Sequence, residues 1–320
     1  MPPTILVIAL TILALLAFGT QCGVIAIERM HPPEGHFVEV RDARLRVIDS
    51  GPDVAGEPAI VLIHGASANL ESIRQPLGDR LAERHRVIMI DRPGHGWSSR
   101  GRLADSTPAI HAGMIGEALE RLGIRRAILV GHSWGGAVLP ALALQDSRRI
   151  AGLVMLAPVT HPWKTGVAWY HTLAATPLIG PLFAYTLEMP IALALLRPGA
   201  SGVFLPQPMP EHYIGDTGLP LLVRPREFLA NGHDMVTLEA SVAKLQPRYG
   251  ELRLPIVVFH GDADKTVSID IHARSFAREV ASARLIELPG VGHMVQNAAP
   301  AVIIEAIETM IAQTEPVAAE

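Results

Sequence analysis

A serine in a glycine-rich turn is the residue of this chain best suited to nucleophilic chemistry. Ser133 lies in the sequence GHSWG (131–135), between a short apolar run and a stretch of small apolar residues with helix-like spacing. A chain that turns from a buried strand directly into a helix comes very close to its neighbours, and glycine leaves that space empty. The turn also aims the unpaired N–H groups at the helix start toward the serine oxygen. The pattern predicts a nucleophile at Ser133.

A serine nucleophile needs a base to take its proton and an acid to orient that base. His293 lies in the glycine-rich sequence GVGHM (290–294), directly after an apolar run. Two carboxylates, Asp262 and Asp264, follow another apolar run in the sequence GDADKTV (261–267). Spacing alone leaves both of them open as the acid.

Short apolar runs alternate with helical patterns along most of the chain, which predicts a mostly parallel sheet covered by helices on both faces. The predicted strands are 37–40, 45–49, 59–63, 87–90, 127–130, 152–156, 256–260 and 284–288. The predicted helices include 69–84, 107–122, 270–280 and 299–312. The candidate residues follow strand ends, where open α/β sheets bind ligands.

The alternation stops in the middle of the chain, in a segment rich in Pro, Leu and aromatic residues. We expect a helical cap over 161–235, inserted between the two core segments 36–160 and 236–314. Six aromatic residues of this segment are equally consistent with a packed core and with the lining of an acyl pocket: Trp163, Trp169, Tyr170, Phe183, Tyr185 and Phe204. For Asp234, at the end of the cap, we expect a capping or surface role.

Taken together, the motifs resemble the α/β-hydrolase fold superfamily over nearly all of residues 37–313, including the order serine, acid, histidine. The family pattern G-x-x-D-x-x-V matches 261–267 and implies that the acid is Asp264. The family's HG-x turn matches 64–66, which implies an oxyanion hole made by the backbone N–H groups of Ala66 and Trp134. The D-x-P-G-x-G-x-S pattern at 91–98 implies a structural loop beside the site.

The resemblance implies a serine hydrolase that cleaves carboxylic esters through an acyl-enzyme. The expected substrate has an apolar acyl or alcohol group, and lipid-derived esters are among the candidates. Haloalkane dehalogenases and epoxide hydrolases of the superfamily use Asp where Ser133 stands. Cofactor-free haloperoxidase or perhydrolase chemistry and C–C bond hydrolysis use the same triad and stay open. A non-catalytic binding protein with a hydrolase fold is the alternative from another class.

Composition narrows the set of partners. The formal net charge is −4 and no basic stripe occurs, so nucleic acid has no support as a partner. We expect no cofactor, because dinucleotide and phosphate-binding fingerprints are missing, and no metal, because the histidines lack ligand-like spacing. The single cysteine, Cys22, leaves no internal disulfide framework. Composition leaves the oligomeric state open.

The N-terminal segment is apolar throughout. Residues 1–27 contain no charged side chain and are long enough to cross a hydrocarbon core about 30 Å thick. We expect a membrane anchor over 1–28, with a signal peptide cleaved near 17–19 and subsequent export, or a buried core helix, as the alternatives. The arginines that follow this segment favour a catalytic domain on the cytoplasmic side of the membrane. A single helix before a long domain nevertheless leaves the membrane orientation open.

Overall fold

An eight-stranded sheet is the centre of the computed structural model, which describes residues 3–314. The strands, numbered along the chain, are β1 (His36–Val40), β2 (Ala43–Ser50), β3 (Ala59–Ile63), β4 (Val87–Ile90), β5 (Ala127–His132), β6 (Ile150–Leu156), β7 (Ile256–Gly261) and β8 (Ala283–Leu288). Their order across the sheet is β1-β2-β4-β3-β5-β6-β7-β8. The first two strands are antiparallel to their neighbours and the other six run parallel, as the sequence predicts.

Helices cover both faces of this sheet. The α-helices are α1 (Pro3–Met30), α2 (Glu71–Ile73), α3 (Asp79–Leu81), α4 (Pro108–Arg121), α5 (Trp134–Gln145), α6 (Trp169–Ala175), α7 (Ile179–Phe183), α8 (Met189–Phe204), α9 (Tyr213–Asp216), α10 (Pro225–Leu245), α11 (Ala273–Glu279), α12 (Val295–Ala298) and α13 (Pro300–Ala312). Shorter π and 3₁₀ turns occupy Arg74–Gly78, Ala184–Glu188, Leu219–Val223 and Gln246–Glu251. Strands β3 to β6 are buried at every position, because apolar side chains on both sheet faces meet helices.

The direction of strand addition reverses at β3, which creates a crevice. After β3 the chain adds β4 on one side, and later adds β5 on the other side. Strands β3 and β5 end level with one another, since Ile63 at the end of β3 pairs with Gly131 of β5. Loops that leave such a switch point diverge and open a ligand site at the carboxyl edge of the sheet. The predicted HG-x turn and the Ser133 turn both leave from this point.

The segment between β6 and β7 is helical, from α6 to α10 with their intervening turns. Helix α10 continues without a break through position 235, where the sequence predicts the end of the cap. It packs against α6 of the insertion and also reaches α4 and α5 beside the sheet. The insertion is therefore joined to the core by one continuous helix, and the division into core and cap stays a prediction.

Helix α1 lies outside the core and contacts the insertion along one stripe. Thr20 and Ile27 are its buried residues, and a Cβ at Gly23 would lie 2.4 Å from the Met189 sulfur of α8. Glu28, near the end of the helix, forms an ion pair with Arg224 at 2.8 Å. The other faces of α1 expose large apolar side chains. This exposure excludes the interpretation of the segment as a buried core helix.

A buried ion cluster ties α10 to the loops that follow β4. The Asp234 carboxylate is fully buried and accepts a hydrogen bond from Arg92 at 2.7 Å and another from Arg100. His95 and His111 lie 3.6 and 3.8 Å from the same carboxylate. The expected surface or capping role of Asp234 is therefore wrong. Two buried cations need a counter-ion, and the insertion supplies it.

We expect Asp234→Ala to lower the free energy of unfolding by about 3–5 kcal/mol, because it leaves Arg92 and Arg100 buried without a counter-charge. Equilibrium urea unfolding of the full-length chain in a mild detergent measures this loss. The control is Arg248→Ala, which removes the exposed ion pair with Glu251 and should leave the unfolding midpoint unchanged. Equal effects of the two substitutions would contradict the structural role of the cluster.

Candidate active site

Ser133 occupies a strained turn between β5 and α5. Its backbone has φ 53° and ψ −116°, a conformation that costs a non-glycine residue about 1–3 kcal/mol. The close contact behind it explains the turn, because a Cβ at Gly135 would lie 2.4 Å from the His64 carbonyl oxygen after β3. Only glycine fits there, so the start of α5 presses against the end of β3. The Ser133 side chain is thereby held at the cavity above the sheet edge.

His293 is hydrogen-bonded to Asp264, with 2.7 Å between Nδ1 and the carboxylate. The other oxygen of Asp264 accepts the backbone N–H groups of Thr266 and Val267 at 2.7 and 3.0 Å. His260 Nε2 lies 3.3 Å from the same carboxylate. Burial alone would raise the pKa of Asp264, but the interactions with His260 and His293 outweigh burial and hold that pKa below its ordinary value. Asp264 is therefore ionised at neutral pH.

Asp262, the other carboxylate that the sequence offers, has a different place. It accepts the backbone N–H of Gly290 at 2.6 Å and so joins the loop after β7 to the loop after β8. The geometry thus brings Asp264, and not Asp262, to the His293 ring. The family pattern, rather than the residue spacing, distinguishes the two in the sequence.

Ser133 and His293 line the same cavity. The Ser133 hydroxyl makes no hydrogen bond with a residue in the range 3–314, so its oxygen is free toward the cavity. Contacts between nucleophile and base are often looser in ligand-free proteins than in complexes. The neighbouring His132 ring lies 4.7 Å from the His293 ring and donates from Nε2 to the His293 carbonyl at 3.1 Å. Burial, and to a lesser extent the electrostatic interaction with the His293 ring, lower the pKa of His132 to about 3, so His132 is neutral at pH 7.

The backbone N–H groups of Ala66 and Trp134 have no hydrogen-bond partner in the described part of the chain. A Cβ at Gly65 would lie 3.1 Å from the Ser133 Cβ, so the HG-x turn abuts the serine. Trp134 follows the serine as the first residue of α5, where helix amides are unpaired. The HG-x turn and the first residue of α5 thus flank the serine, and the oxyanion hole of Ala66 and Trp134 stays a prediction.

The Arg92 guanidinium fixes the HG-x turn from behind. It donates to the carbonyl oxygens of His64 and Gly65 at 3.1 and 3.0 Å. The same group lies 4.0 Å over the Trp134 ring, whose Nε1 donates to the Asp234 carbonyl at 3.2 Å. Sequence reasoning missed the ion pair between Arg92 and Asp234, which are 142 positions apart and share no motif. Only the D-x-P-G loop hints at Arg92, since Arg92 follows its first residue.

A cavity of about 1190 Å³ opens above Ser133, Asp264 and His293. Its upper wall comes from the insertion and is mainly apolar. Five of the six cap aromatics line it, namely Trp163, Trp169, Tyr170, Phe183 and Phe204. The sixth, Tyr185, is 41% exposed and lies outside the lining. The predicted acyl-pocket role thus fits the position of five side chains. Among residues 3–314, no group of three or more potential metal ligands is placed to hold an ion.

The alpha/beta hydrolase family model matches residues 60–306. An uncharacterized protein of Mycobacterium tuberculosis is 27% identical over 301 residues, which cover 89% of this chain and 83% of that protein. A dihydrolipoyllysine-residue acetyltransferase component of an acetoin cleaving system from Cupriavidus necator is 36% identical over 123 residues. Those residues are 38% of this chain and 32% of the relative, so the chain spans about a third of its length.

Among solved structures, the enol-lactonase from Burkholderia xenovorans superposes with a TM-score of 0.71 at 20% identity. The superposition covers 87% of this chain and all of the lactonase. At that identity the likeness shows the fold alone, whereas the family model covers most of the chain. The chain belongs to the alpha/beta hydrolase family.

Proposed function

We propose that this hydrolase cleaves carboxylic esters with Ser133 as nucleophile, His293 as general base and acid, and Asp264 as the orienting carboxylate. The observation that carries the proposal is the 2.7 Å hydrogen bond between Asp264 and His293 beside the cavity that Ser133 lines. An ionised carboxylate on Nδ1 leaves Nε2 as the nitrogen that takes the serine proton. A serine at the nucleophile position favours an acyl-enzyme over the aspartyl chemistry of dehalogenases and epoxide hydrolases.

In this mechanism the Ser133 oxygen attacks the ester carbonyl carbon while His293 takes its proton. The carbonyl oxygen becomes an oxyanion, for which the backbone N–H groups of Ala66 and Trp134 are the proposed donors. His293 then protonates the departing alcohol and leaves an acyl group on the serine. Water, deprotonated by the same imidazole, releases the acid and restores the serine. The apolar upper wall favours an ester with an apolar acyl or alcohol group.

Ser133→Ala should lower kcat for a p-nitrophenyl ester by at least about 10⁴-fold and abolish labelling by a fluorophosphonate probe, because the nucleophile is removed. Ser67→Ala is the matched control, since Ser67 lines the same cavity and its hydroxyl oxygen accepts a hydrogen bond from Asn231 Nδ2. It should keep both signals. Ester turnover retained by Ser133→Ala would refute the assignment, and an unlabelled wild-type protein would favour the non-catalytic alternative.

Asp264→Asn should lower kcat by about 10²–10⁴-fold, because an amide neither holds the His293 tautomer nor stabilises the imidazolium. Asp262→Asn should retain most of the activity, because Asp262 accepts only a loop N–H. Steady-state hydrolysis of one p-nitrophenyl ester by both variants gives the comparison. A larger loss in the Asp262 variant would reverse the choice of the acid.

We further propose that α1 anchors the protein in a lipid bilayer. Among the described residues, exposed large apolar side chains are concentrated on α1 and on the insertion between Trp169 and Leu205. Helix α1 packs against the turn Ala184–Glu188, so the two apolar surfaces adjoin one another. A second apolar stretch, Ile179–Phe204, is also long enough to cross a membrane, but it packs in the insertion as a cavity wall. Exposed apolar area of this kind is typical of a membrane contact.

The full-length chain should pellet with membranes after cell lysis. Ile12→Arg with Leu15→Arg should shift it to the soluble fraction, because each arginine costs about 2.5–3.5 kcal/mol near the middle of a membrane helix. Val302→Arg, on the exposed face of α13, is the control and should pellet like the wild type. Intact, uncleaved wild-type protein found entirely in the soluble fraction would contradict the anchor, and the mass of its N-terminus would report a cleaved signal peptide.

A further inference from the structure

In the part of the chain that the structure describes, a buried carboxyl group with one unpaired oxygen lies in the wall of the active-site cavity. Glu188 ends the π-helical turn Ala184–Glu188 in the insertion and is only 3% exposed. It lines the cavity that also contains Ser133 and His293. Its Oε2 has no hydrogen-bond partner among residues 3–314. A buried polar atom left in this state is costly, so its presence in a binding cavity needs an explanation.

The surroundings of Glu188 do not supply a counter-charge. The nearby lining of α8 is apolar, with Ile191 and Ala192 following Glu188 in the chain. Burial is the cause that raises the pKa of Glu188 to about 8. At neutral pH the side chain is mostly a neutral carboxylic acid, which offers one O–H donor and acceptor oxygens.

The other buried glutamate of the lining shows what a structural carboxylate looks like in this protein. Glu227 accepts the backbone N–H of Gly96 at 2.9 Å and an Arg224 hydrogen bond at 2.7 Å. Both of its oxygens are thus engaged within the protein. Glu188 differs from Glu227, because its Oε2 accepts no hydrogen bond from any residue in the range 3–314. We therefore assign it no role in holding the fold together.

We propose that Glu188 is a binding subsite for an uncharged hydroxyl group carried by the substrate at a distance from the scissile ester. The neutral acid donates to the hydroxyl oxygen and accepts its hydrogen, which satisfies a group that no residue in the range 3–314 pairs. The apolar lining around it holds the hydrocarbon chain between the two polar ends. The substrate class is therefore a hydroxylated aliphatic ester. This inference rests on the proposed ester hydrolysis at Ser133.

The test uses two series of p-nitrophenyl alkanoates of increasing chain length, one with a terminal hydroxyl and one without. The measured quantity is the ratio of kcat/KM for the hydroxylated and plain esters at each length. For the wild type we expect this ratio to peak at one chain length, about tenfold or more above its value at other lengths. A ratio that does not vary with chain length would overturn the subsite.

Glu188→Gln and Glu188→Leu identify the group responsible. Glutamine keeps a neutral donor and acceptor of the same shape and should keep the peak in the kcat/KM ratio, whereas leucine should abolish that peak. Glu188→Leu should also raise the melting temperature, because it removes a buried unpaired polar group. A peak that survives Glu188→Leu would overturn the proposal. Loss of the peak in Glu188→Gln would overturn the neutral-acid form and indicate recognition by charge, for which ω-amino esters are the probe.

A second readout separates this proposal from the assignment of the chemistry. The melting temperature of Ser133→Ala is measured with the hydroxylated and plain esters of the same length, with and without Glu188→Leu. A larger stabilisation by the hydroxylated ester that disappears in the double variant supports the subsite, even if Ser133 is not a nucleophile. Equal stabilisation by both esters overturns the subsite and leaves the ester hydrolase assignment standing wherever Ser133-dependent turnover is found.

Discussion

The guanidinium of Arg92 is the contact on which the arrangement of the site depends. It binds two carbonyl oxygens of the HG-x turn, lies on the ring of the residue after Ser133, and meets its counter-ion Asp234 on α10. Burying a cation this deeply is costly unless each of its N–H groups finds a partner. The partners come from the loop after β3, from the insertion and from the stacked Trp134. The HG-x turn, the Ser133 turn and the insertion are therefore held together by one side chain.

Two carboxyl groups of one cavity are held in opposite protonation states by their surroundings. Asp264 receives backbone N–H groups and lies beside two histidines, which keeps its pKa low despite burial. Glu188 receives none of these and its pKa is raised by burial. In the proposed reaction an anion behind His293 stabilises the imidazolium, while a neutral acid in the wall can donate a hydrogen bond. The sheet loops supply the charged group and the insertion supplies the neutral one.

The sheet and its helices could be predicted from the sequence because apolar runs of strand length alternate with helical patterns, a local signal. Ser133 and His293 could be singled out because each stands in a glycine-rich loop after such a run. The choice of Asp264 over Asp262 needed the family pattern, since two positions of spacing do not decide which carboxylate reaches a distant ring. The ion pair between Arg92 and Asp234 could not be predicted, because a buried pair between the core and the insertion produces no periodic pattern in the sequence. The unpaired Oε2 of Glu188 could not be predicted either, because it depends on which residues surround the side chain in the folded protein.

The neighbours Glu188 and Met189 connect the two proposals about this protein. Met189 packs against Gly23 of α1, while Glu188 faces the cavity. A glycine at position 23 lets the helix approach α8 so closely that an added Cβ would overlap the Met189 sulfur at 2.4 Å. The cavity wall therefore packs directly against the proposed membrane anchor α1. If α1 lies in a bilayer, the exposed apolar face of the insertion adjoins that bilayer, and the wall that carries Glu188 lies on the same side of the cavity as the anchor. A hydroxyl group on an aliphatic chain would then be recognised by the neutral acid without drawing a charge into the cavity.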